Sequence, residues 1–323
     1  MAEYENVILN NSQFLEIIKE ELIGNSILFE TQDEVLLENF SLCFAKFLLC
    51  NGKNKPCNEC ISCQKMEKNA HSDVKIYPLN GKNVLVDDVK DLIENIYLKP
   101  IESDKNIFIF NHFSSANLQA QNKLLKILEE PPKNSYIILN VTNSSKILPT
   151  IMSRCKKIRL KSLSDGEMLS AFKDENITKL ENAVEIAQGS MQKAEMFLKD
   201  EIFAETFKNC LNTVLELKDS RYLLKYSSKL RLEKNNLGLV LEVFESLYRD
   251  ILLIKLDKEN LVKNKKHLKE LLSVCEEYDC DGVDKIIRKI FETKKKMESN
   301  CNADMLIDSL LLYILEVKYL CRR

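Results

Sequence analysis

The feature that most limits what this chain can fold into lies between Lys105 and Leu160, where short apolar runs alternate with amphipathic segments. The first two runs are dense in β-branched and aromatic side chains, as buried strands require. The runs cover residues 105–110, 136–141 and 157–160, and the helical segments between them cover 117–128 and 146–152. Strands separated by helical crossovers predict a parallel sheet with helices packed on both of its faces.

The same kinds of pattern extend over the rest of the chain. Upstream, the spacing of apolar residues predicts two further strands and three amphipathic helices. The strands are expected at residues 26–29 and 72–79, and the helices at residues 12–22, 36–49 and 83–96. From Ser162 onward only helical patterns remain, so we predict an α/β region followed by an all-helical one.

Composition excludes several classes of protein. The hydrophobic fraction of 45% and the charged fraction of 30% are those of a water-soluble globular chain. A net charge of −2 argues against broad electrostatic wrapping of DNA by this chain alone. The N-terminus lacks the apolar region of a signal peptide, and the longest apolar run, residues 306–320, contains three charged residues. With eleven cysteines and no secretory signal, we expect a cytoplasmic protein without a membrane span or a disulfide framework.

Four cysteines, Cys50, Cys57, Cys60 and Cys63, follow the predicted helix at 36–49 with the spacing of a metal site. They lie within 14 residues, and each Cys-x-x-Cys pair can chelate an ion from a single turn. A redox motif is the alternative, but it needs only two cysteines and leaves Cys50 and Cys63 without a role. The sequence therefore predicts a structural Zn²⁺ with four thiolate ligands and no open position for catalysis.

Two strings within the α/β region carry a resemblance to a known family. Residues 124–132 read Leu-Leu-Lys-Ile-Leu-Glu-Glu-Pro-Pro, and residues 148–155 read Leu-Pro-Thr-Ile-Met-Ser-Arg-Cys. Both are similar to the bacterial DNA polymerase III clamp loader, an AAA+ family, in its delta-prime and tau/gamma subunits. The resemblance implies an AAA+-type α/β domain over residues 1–161, with a zinc module inserted at about 50–63. It also implies a helical lid over 162–204 and a helical collar for oligomerisation over 205–323.

The phosphate-binding loop of an ATPase in this family is replaced by a different sequence. Such a loop reads Gly-x-x-x-x-Gly-Lys-[Ser/Thr], in which the glycines allow backbone approach, the lysine binds phosphate and the hydroxyl binds Mg²⁺. Aligned with the family, residues 31–38 occupy this slot and read Thr-Gln-Asp-Glu-Val-Leu-Leu-Glu. Thr31 and Leu36 replace the glycines, Leu37 replaces the lysine, and Glu38 replaces the hydroxyl. Because carboxylates repel a triphosphate, we predict that this slot hydrolyses no ATP.

A second catalytic position is also changed. After the strand at 105–110, a P-loop ATPase needs two acidic residues, one for the metal and one to orient the attacking water. Asn111 and His112 stand there instead. Asn111 has no charge to hold Mg²⁺, and His112 is either a base or ligand or, as we favour, a hydrogen-bonded polar residue. Asn143, after the next strand, resembles a sensor of phosphate state, with a turn or cap as the alternative. The two changed slots predict a pseudo-ATPase.

Arg154, within the string Ser153-Arg154-Cys155, is the residue that we expect to carry function. An arginine presented across a subunit boundary stabilises the charge that develops on a neighbour's transferring phosphoryl group. Its planar, permanently charged guanidinium suits phosphate better than a lysine does. The resemblance implies this role in trans for Arg154, whereas composition alone favours a surface salt bridge. Ser153 and Cys155 are expected to pack around the arginine and to position it.

The resemblance and the changed slots together favour a delta-prime-like subunit that hydrolyses no ATP of its own. Such a stator lends Arg154 to a neighbouring tau/gamma ATPase subunit, assembles with the delta subunit, and acts indirectly on the sliding clamp and on primer-template DNA in replication. One alternative is a tau/gamma-like ATPase with a divergent P-loop. Another is a nucleic-acid-binding module around the four cysteines, which the absence of stacking aromatics in that loop disfavours.

Overall fold

In the computed structural model of this protein, the described residues are 2–19, 24–173, 180, 183–184, 187–199, 201–231, 237–298 and 301–321. The chain divides into two compact units. The first comprises Met1–Asn176 and Gly189–Gln192, and the second comprises Ile177–Gln188 and Lys193–Arg323. The finer division of the chain into a domain, a lid and a collar at residues 161 and 204 stays a prediction.

The first unit is built on a sheet of five parallel strands, which confirms the predicted fold class. The strands are β1 (Ser26–Glu30), β2 (Val74–Tyr77), β3 (Asn106–Phe110), β4 (Ser135–Val141) and β5 (Lys156–Arg159). Their order across the sheet is β2-β3-β4-β1-β5. Every residue of β3 is buried, which explains why this run is almost continuously apolar instead of alternating.

Helices of the first unit connect and flank these strands. They are α1 (Ala2–Asn10), α2 (Ser12–Lys19), α3 (Glu34–Leu49), α4 (Ile61–Glu67), α5 (Val86–Asn95), α6 (Leu118–Glu129), α7 (Pro149–Met152) and α8 (Asp165–Ala171). The end of the helix predicted at 12–22 lies outside the described residues. Helix α1 is additional to the prediction, because its buried apolar side chains are few and the charged Glu5 is buried beside Tyr4, Val7 and Ile8. Helix α4 is likewise additional; it begins inside the cysteine segment and continues beyond Cys63.

The described chain after residue 190 is helical, as predicted. Its helices are α9 (Met191–Lys199), α10 (Glu201–Glu216), α11 (Ser220–Arg231), α12 (Leu237–Lys255), α13 (Leu268–Cys275), α14 (Cys280–Glu298) and α15 (Ala303–Cys321). Helices α10 to α15 bury one shared apolar core, to which Phe244, Leu247 and Ile251 of α12 belong. Among the helices of the described residues, none is long and apolar enough to cross a membrane.

Parallel pairing fixes where the predicted slots lie. Because all five strands run the same way, their carboxyl ends meet at one edge of the sheet. Phe29 of β1 pairs with Asn140 of β4, and Phe110 of β3 pairs with Leu139 of β4. The phosphate slot and the position of the acidic pair therefore follow the two strands that flank β4, at the same edge.

One buried lysine joins three helices of the first unit. Lys46 lies in the last turn of α3, and its side chain is fully buried. Its Nζ donates to Oε1 of Glu5 in α1 at 2.7 Å and to Oε1 of Glu67 in α4 at 3.0 Å. Burial alone would lower the pKa of Lys46, but these two hydrogen bonds outweigh it and raise the pKa above its usual value. Lys46 is therefore charged, and it fastens α1 and α4 to α3.

The substitution Lys46→Met is expected to lower the free energy of opening of α1 by about 3 kcal/mol, because it leaves the buried Glu5 carboxylate without its partner. Hydrogen exchange of the backbone amides in α1 and α4 measures this loss. Lys90→Met removes only the exposed partner of Asp87 and is the matched control, which should leave these exchange rates unchanged. Full protection of α1 in the Lys46→Met protein would contradict the prediction.

Candidate functional site

The slot at residues 31–38 is filled by the chain itself. Thr31 extends the sheet, because its N–H donates to the carbonyl oxygen of Val141 at 3.3 Å. Asp33 is the N-cap of α3, and its Oδ1 accepts a hydrogen bond from the N–H of Leu36 at 2.9 Å. The N-terminus of this helix is where a P-loop would bind phosphate, since helix N–H groups and the helix dipole attract anions. A buried carboxylate occupies that position here.

The same carboxylate also contacts the start of a second helix. The N–H of Gln192, near the start of α9, lies 3.4 Å from both Oδ1 and Oδ2 of Asp33. The side chain of Gln192 in turn accepts a hydrogen bond from the N–H of Glu34 at 3.4 Å. Asp33 thus serves the N–H groups at the starts of two helices, as an anion bound between them would.

The carboxyl ends of β3 and β4 carry an amide network instead of an acidic pair. Nδ2 of the buried Asn140 donates to Oδ1 of Asn111 at 2.7 Å and lies 3.4 Å from the carbonyl oxygen of Leu37. Oδ1 of Asn140 accepts a hydrogen bond from Oγ of Ser41 in α3 at 2.6 Å. Leu37 itself is buried, at the position where a P-loop would present its lysine. Because these side chains are all neutral, the network supplies no charge to hold Mg²⁺.

His112 lies between two carboxylates of α3. Its Nδ1 is 3.2 Å from Oε1 of Glu34, and its Nε2 is 3.4 Å from Oε1 of Glu38. The imidazole thus bridges two side chains of α3 next to the slot. Within the described ranges, His112 belongs to no group of three or more side chains that could bind a metal ion.

The side chain of Asn143, the position similar to a sensor of phosphate state, caps the turn that follows it. Its Oδ1 accepts hydrogen bonds from the N–H and the Oγ of Ser145, at 3.0 and 2.6 Å, at the start of a short 3-10 helix. The N–H groups of Thr142 and Asn143 donate to Oγ of Ser114, at 3.0 and 3.2 Å. These are the contacts of a turn cap.

Arg154 lies on the surface of the first unit, two residues after the end of α7. Its Nη1 donates to the carbonyl oxygen of Thr150 at 2.8 Å, and its Nη2 donates to Oε1 of Glu129 at 2.7 Å. The side chain is 32% exposed. Glu129 belongs to the first of the two strings that carry the family resemblance and Arg154 belongs to the second, so the two strings meet in this ion pair.

The neighbours of Arg154 in the chain shape the turn that carries it. Oγ of the exposed Ser153 donates to the carbonyl oxygen of Thr150 at 3.1 Å, the same oxygen that Arg154 contacts. Cys155 is buried, and burial raises the pKa of its thiol to about 12. A thiol with so high a pKa is unreactive at neutral pH, which leaves Cys155 a packing role.

The four cysteines come together in space. The sulfur atoms of Cys50, Cys57, Cys60 and Cys63 all lie within 4.8 Å of one another. No other group of three or more His, Cys, Asp and Glu side chains is so placed in the described part of the chain. A tetrahedral zinc ion with Zn–S bonds of about 2.3 Å needs sulfur atoms about 3.8 Å apart, so a small contraction would close such a site.

The surroundings of the sulfur atoms also fit a metal ion. Sγ of Cys50 accepts hydrogen bonds from the N–H groups of Gly52 and Cys57, both at 3.3 Å. Backbone N–H donors, that of Glu59 foremost, lower the pKa of Cys57 to about 6. Burial raises the pKa of Cys63, so the thiolate form of this residue requires a cation beside it. A four-thiolate donor set of this kind suits Zn²⁺.

Comparison with known proteins finds relatives of the kind that the two family strings suggest. A family model described as "DNA polymerase III, delta subunit" matches residues 9–164. The delta-prime subunit of DNA polymerase III from Bacillus subtilis (strain 168) is 22% identical over 306 residues, which cover 93% of each chain. The delta-prime subunit from Haemophilus influenzae is 30% identical over 146 residues, 45% of each chain. The tau/gamma subunit of that organism is 28% identical over 222 residues, 64% of this chain and 32% of the relative.

The parallel five-stranded sheet, the two family strings and these matches agree with one another. The chain is similar to the delta-prime subunits of bacterial DNA polymerase III.

The substitution Asp33→Ala is expected to lower the free energy of unfolding by about 1 kcal/mol, because the N-terminal N–H groups of α3 lose their acceptor. Asp33→Asn keeps a capping oxygen and is the matched control, which should stay close to the wild-type value. Urea denaturation followed by far-UV circular dichroism measures both variants. Equal losses in the two variants would contradict a capping role for Asp33.

Proposed function

We propose that this protein is a non-hydrolysing stator subunit of the DNA polymerase III clamp loader and that it presents Arg154 to the ATP site of a neighbouring subunit. The observation that carries the proposal is the presence, in one unit, of a self-filled phosphate slot and an exposed arginine. Asp33 stands at the helix start where a phosphate would bind, whereas Arg154 reaches the surface. The protein therefore contributes to ATP hydrolysis only through another subunit.

The charges in the slot oppose nucleotide chemistry there. Asp33, Glu34 and Glu38 lie at the start of α3, and the His112 ring contacts the last two of these carboxylates. A triphosphate in contact with these carboxylates would meet repulsion of about 4 kcal/mol per pair of like charges near a protein surface. The amide at Asn111 cannot replace the carboxylate that would hold Mg²⁺. These residues support a slot that hydrolyses no ATP.

Arg154 has the properties required of an arginine that acts in trans. Its guanidinium is charged at every physiological pH and presents a planar fork that matches phosphate. The side chain is anchored at its base by the turn after α7 and by Glu129, yet it remains partly exposed. We assign Arg154 to the transferring phosphoryl group of the ATP that a neighbouring tau/gamma subunit binds.

The second unit provides a surface for assembly. On α15, Met305, Leu312 and Tyr319 recur at intervals of seven residues, and all three are exposed. An exposed apolar stripe along a helix is typical of a contact with another helix. We assign this stripe to contacts within the clamp loader, whose other members are the tau/gamma and delta subunits. Through that assembly the protein takes part in loading the sliding clamp onto primer-template DNA.

The four cysteines are proposed to hold one structural Zn²⁺. Cys50, Cys57, Cys60 and Cys63 would be its ligands, and a closed four-thiolate ion stabilises a loop without taking part in catalysis. Helix α4 begins directly after Cys60, and Glu67 at its other end pairs with Lys46. The cysteine segment is therefore tied to the α/β core at the end of α4 as well as through Cys50.

The substitution Arg154→Ala is expected to lower the clamp- and DNA-stimulated ATP hydrolysis of a reconstituted clamp loader. The affected site should slow roughly 10³-fold or more, although intact sites elsewhere dilute the total. Arg159→Ala removes a more exposed arginine, which pairs with Glu30, and is the matched control. An assembly indifferent to Arg154→Ala would overturn the role in trans. ATP turnover by the isolated chain would instead favour the tau/gamma-like alternative with a divergent P-loop.

Metal analysis of the purified protein is expected to find one zinc ion per chain. Gly52→Ala should weaken its retention, because a Cβ at this position would lie 2.6 Å from Cβ and 2.8 Å from Sγ of Cys57. Gly166→Ala, whose Cβ would meet no atom within 4 Å, is the matched control. The rate of zinc release to a coloured chelator compares the two variants. Metal-free protein, or equal release rates, would contradict the assignment.

A further inference from the structure

The contact between Glu129 and Arg154 joins two separate elements of the first unit. Glu129 is the last residue of α6, whereas Arg154 follows α7. Nη2 of Arg154 donates to Oε1 of Glu129 at 2.7 Å. We propose that Glu129 is a positioning residue that holds the Arg154 guanidinium in the direction of a phosphate on the neighbouring subunit. This inference rests on the proposed function, because it assumes that Arg154 acts in trans.

The way in which Arg154 is held leaves most of its hydrogen-bonding capacity unused. A guanidinium has five N–H donors in a planar fork. The carbonyl oxygen of Thr150 takes one donor of Nη1, and Glu129 takes one donor of Nη2. Within the described ranges, the N–H of Nε and one N–H on each terminal nitrogen remain, which suffices for two parallel hydrogen bonds to a phosphate. Two fixed points therefore set the direction of the fork without consuming the donors that an anion needs.

Glu129 is the last residue of α6, a position at which a carboxylate does not stabilise its own helix. A carboxylate in the last turn lies at the negative end of the helix dipole, where a cation is preferred. Glu130 leaves the helix with φ −132° and ψ 68°, outside the helical region, as a residue before proline tends to do. The helix end thus gives Glu129 a fixed position, and the charge of Arg154 offsets the unfavourable dipole.

The pair orients the guanidinium without neutralising it fully. The side chain of Glu129 is 50% exposed and that of Arg154 is 32% exposed, so water and salt screen their attraction. A phosphoryl group can therefore bind to the remaining donors of the fork while Glu129 stays in place. The contribution of Glu129 is therefore mainly to restrict the rotamers of a long side chain, and its loss should slow the affected site about 2- to 10-fold.

A double-mutant cycle in the reconstituted clamp loader tests this inference. Stimulated ATP hydrolysis is compared for wild type, Glu129→Ala, Arg154→Ala and the double variant, with the ATP dependence of the rate resolved into kcat and KM. Glu130→Ala is the matched control, since it removes an adjacent exposed carboxylate. Glu129→Gln keeps an acceptor oxygen and the shape of the side chain, and should recover part of the activity. Circular dichroism and gel filtration establish that each variant is folded and assembled.

The expected result is that Glu129→Ala lowers kcat about 2- to 10-fold in the wild-type background and has no further effect in the Arg154→Ala background. A residue that only stabilised the fold would lower both backgrounds equally, so equal losses would overturn the inference. An unchanged or faster rate in Glu129→Ala, or an equal loss in Glu130→Ala, would also overturn it while leaving the role of Arg154 intact. No loss in Arg154→Ala would overturn the proposed function and this inference together.

Discussion

The parallel pairing of β1 with β4 on one side and β5 on the other is the constraint on which the first unit depends. This pairing places the start of α3, which follows β1, at the edge of the sheet where β3 and β4 also end. In that geometry the N-terminus of α3 attracts an anion whatever the surrounding sequence is. In an ATPase the anion is a phosphate, whereas here Asp33 supplies a carboxylate from within the chain. A side chain of the protein thus stands at a helix start of the kind that binds phosphate in nucleotide sites.

A covalently attached anion has a physical consequence that a bound nucleotide does not have. The stabilisation that a ligand gives depends on its concentration, whereas a side-chain cap acts at a constant and high effective concentration. Asp33 therefore accepts hydrogen bonds from N–H groups at the starts of α3 and α9 whether or not nucleotide is present. In this respect the slot differs from one that is stabilised by a bound nucleotide. The contact between Glu34 and His112 lies across the same slot.

Much of this fold could be predicted from the sequence, because buried strands and helices place apolar residues at regular spacings along the chain. The apolar pattern predicts which faces are buried. It does so for the runs that form β1, β3 and β4 and for the leucines of α6. The short spacing of the four cysteines predicts that they lie close together, because a loop of 14 residues keeps them near one another. Helix α1 is harder to predict, since its buried apolar residues are few and the charged Glu5 is buried among them. The role of Asn140 could not be predicted for another reason. It is a polar residue within an apolar run, and its partners Ser41 and Asn111 come from other elements.

Most strands and helices of the first unit, and the metal-type spacing of the cysteines, could be predicted from the residues alone, whereas the assignment of Leu37 to the place of a P-loop lysine rests on the family resemblance. Which charges meet depends on the tertiary fold: Lys46 pairs with Glu5 and Glu67, and Arg154 pairs with Glu129. The reason is physical. Burial is an average over many neighbours and recurs with the period of a helix or strand, so it can be read along the chain. An ion pair needs two particular atoms within about 3 Å, and that depends on how distant segments pack against each other.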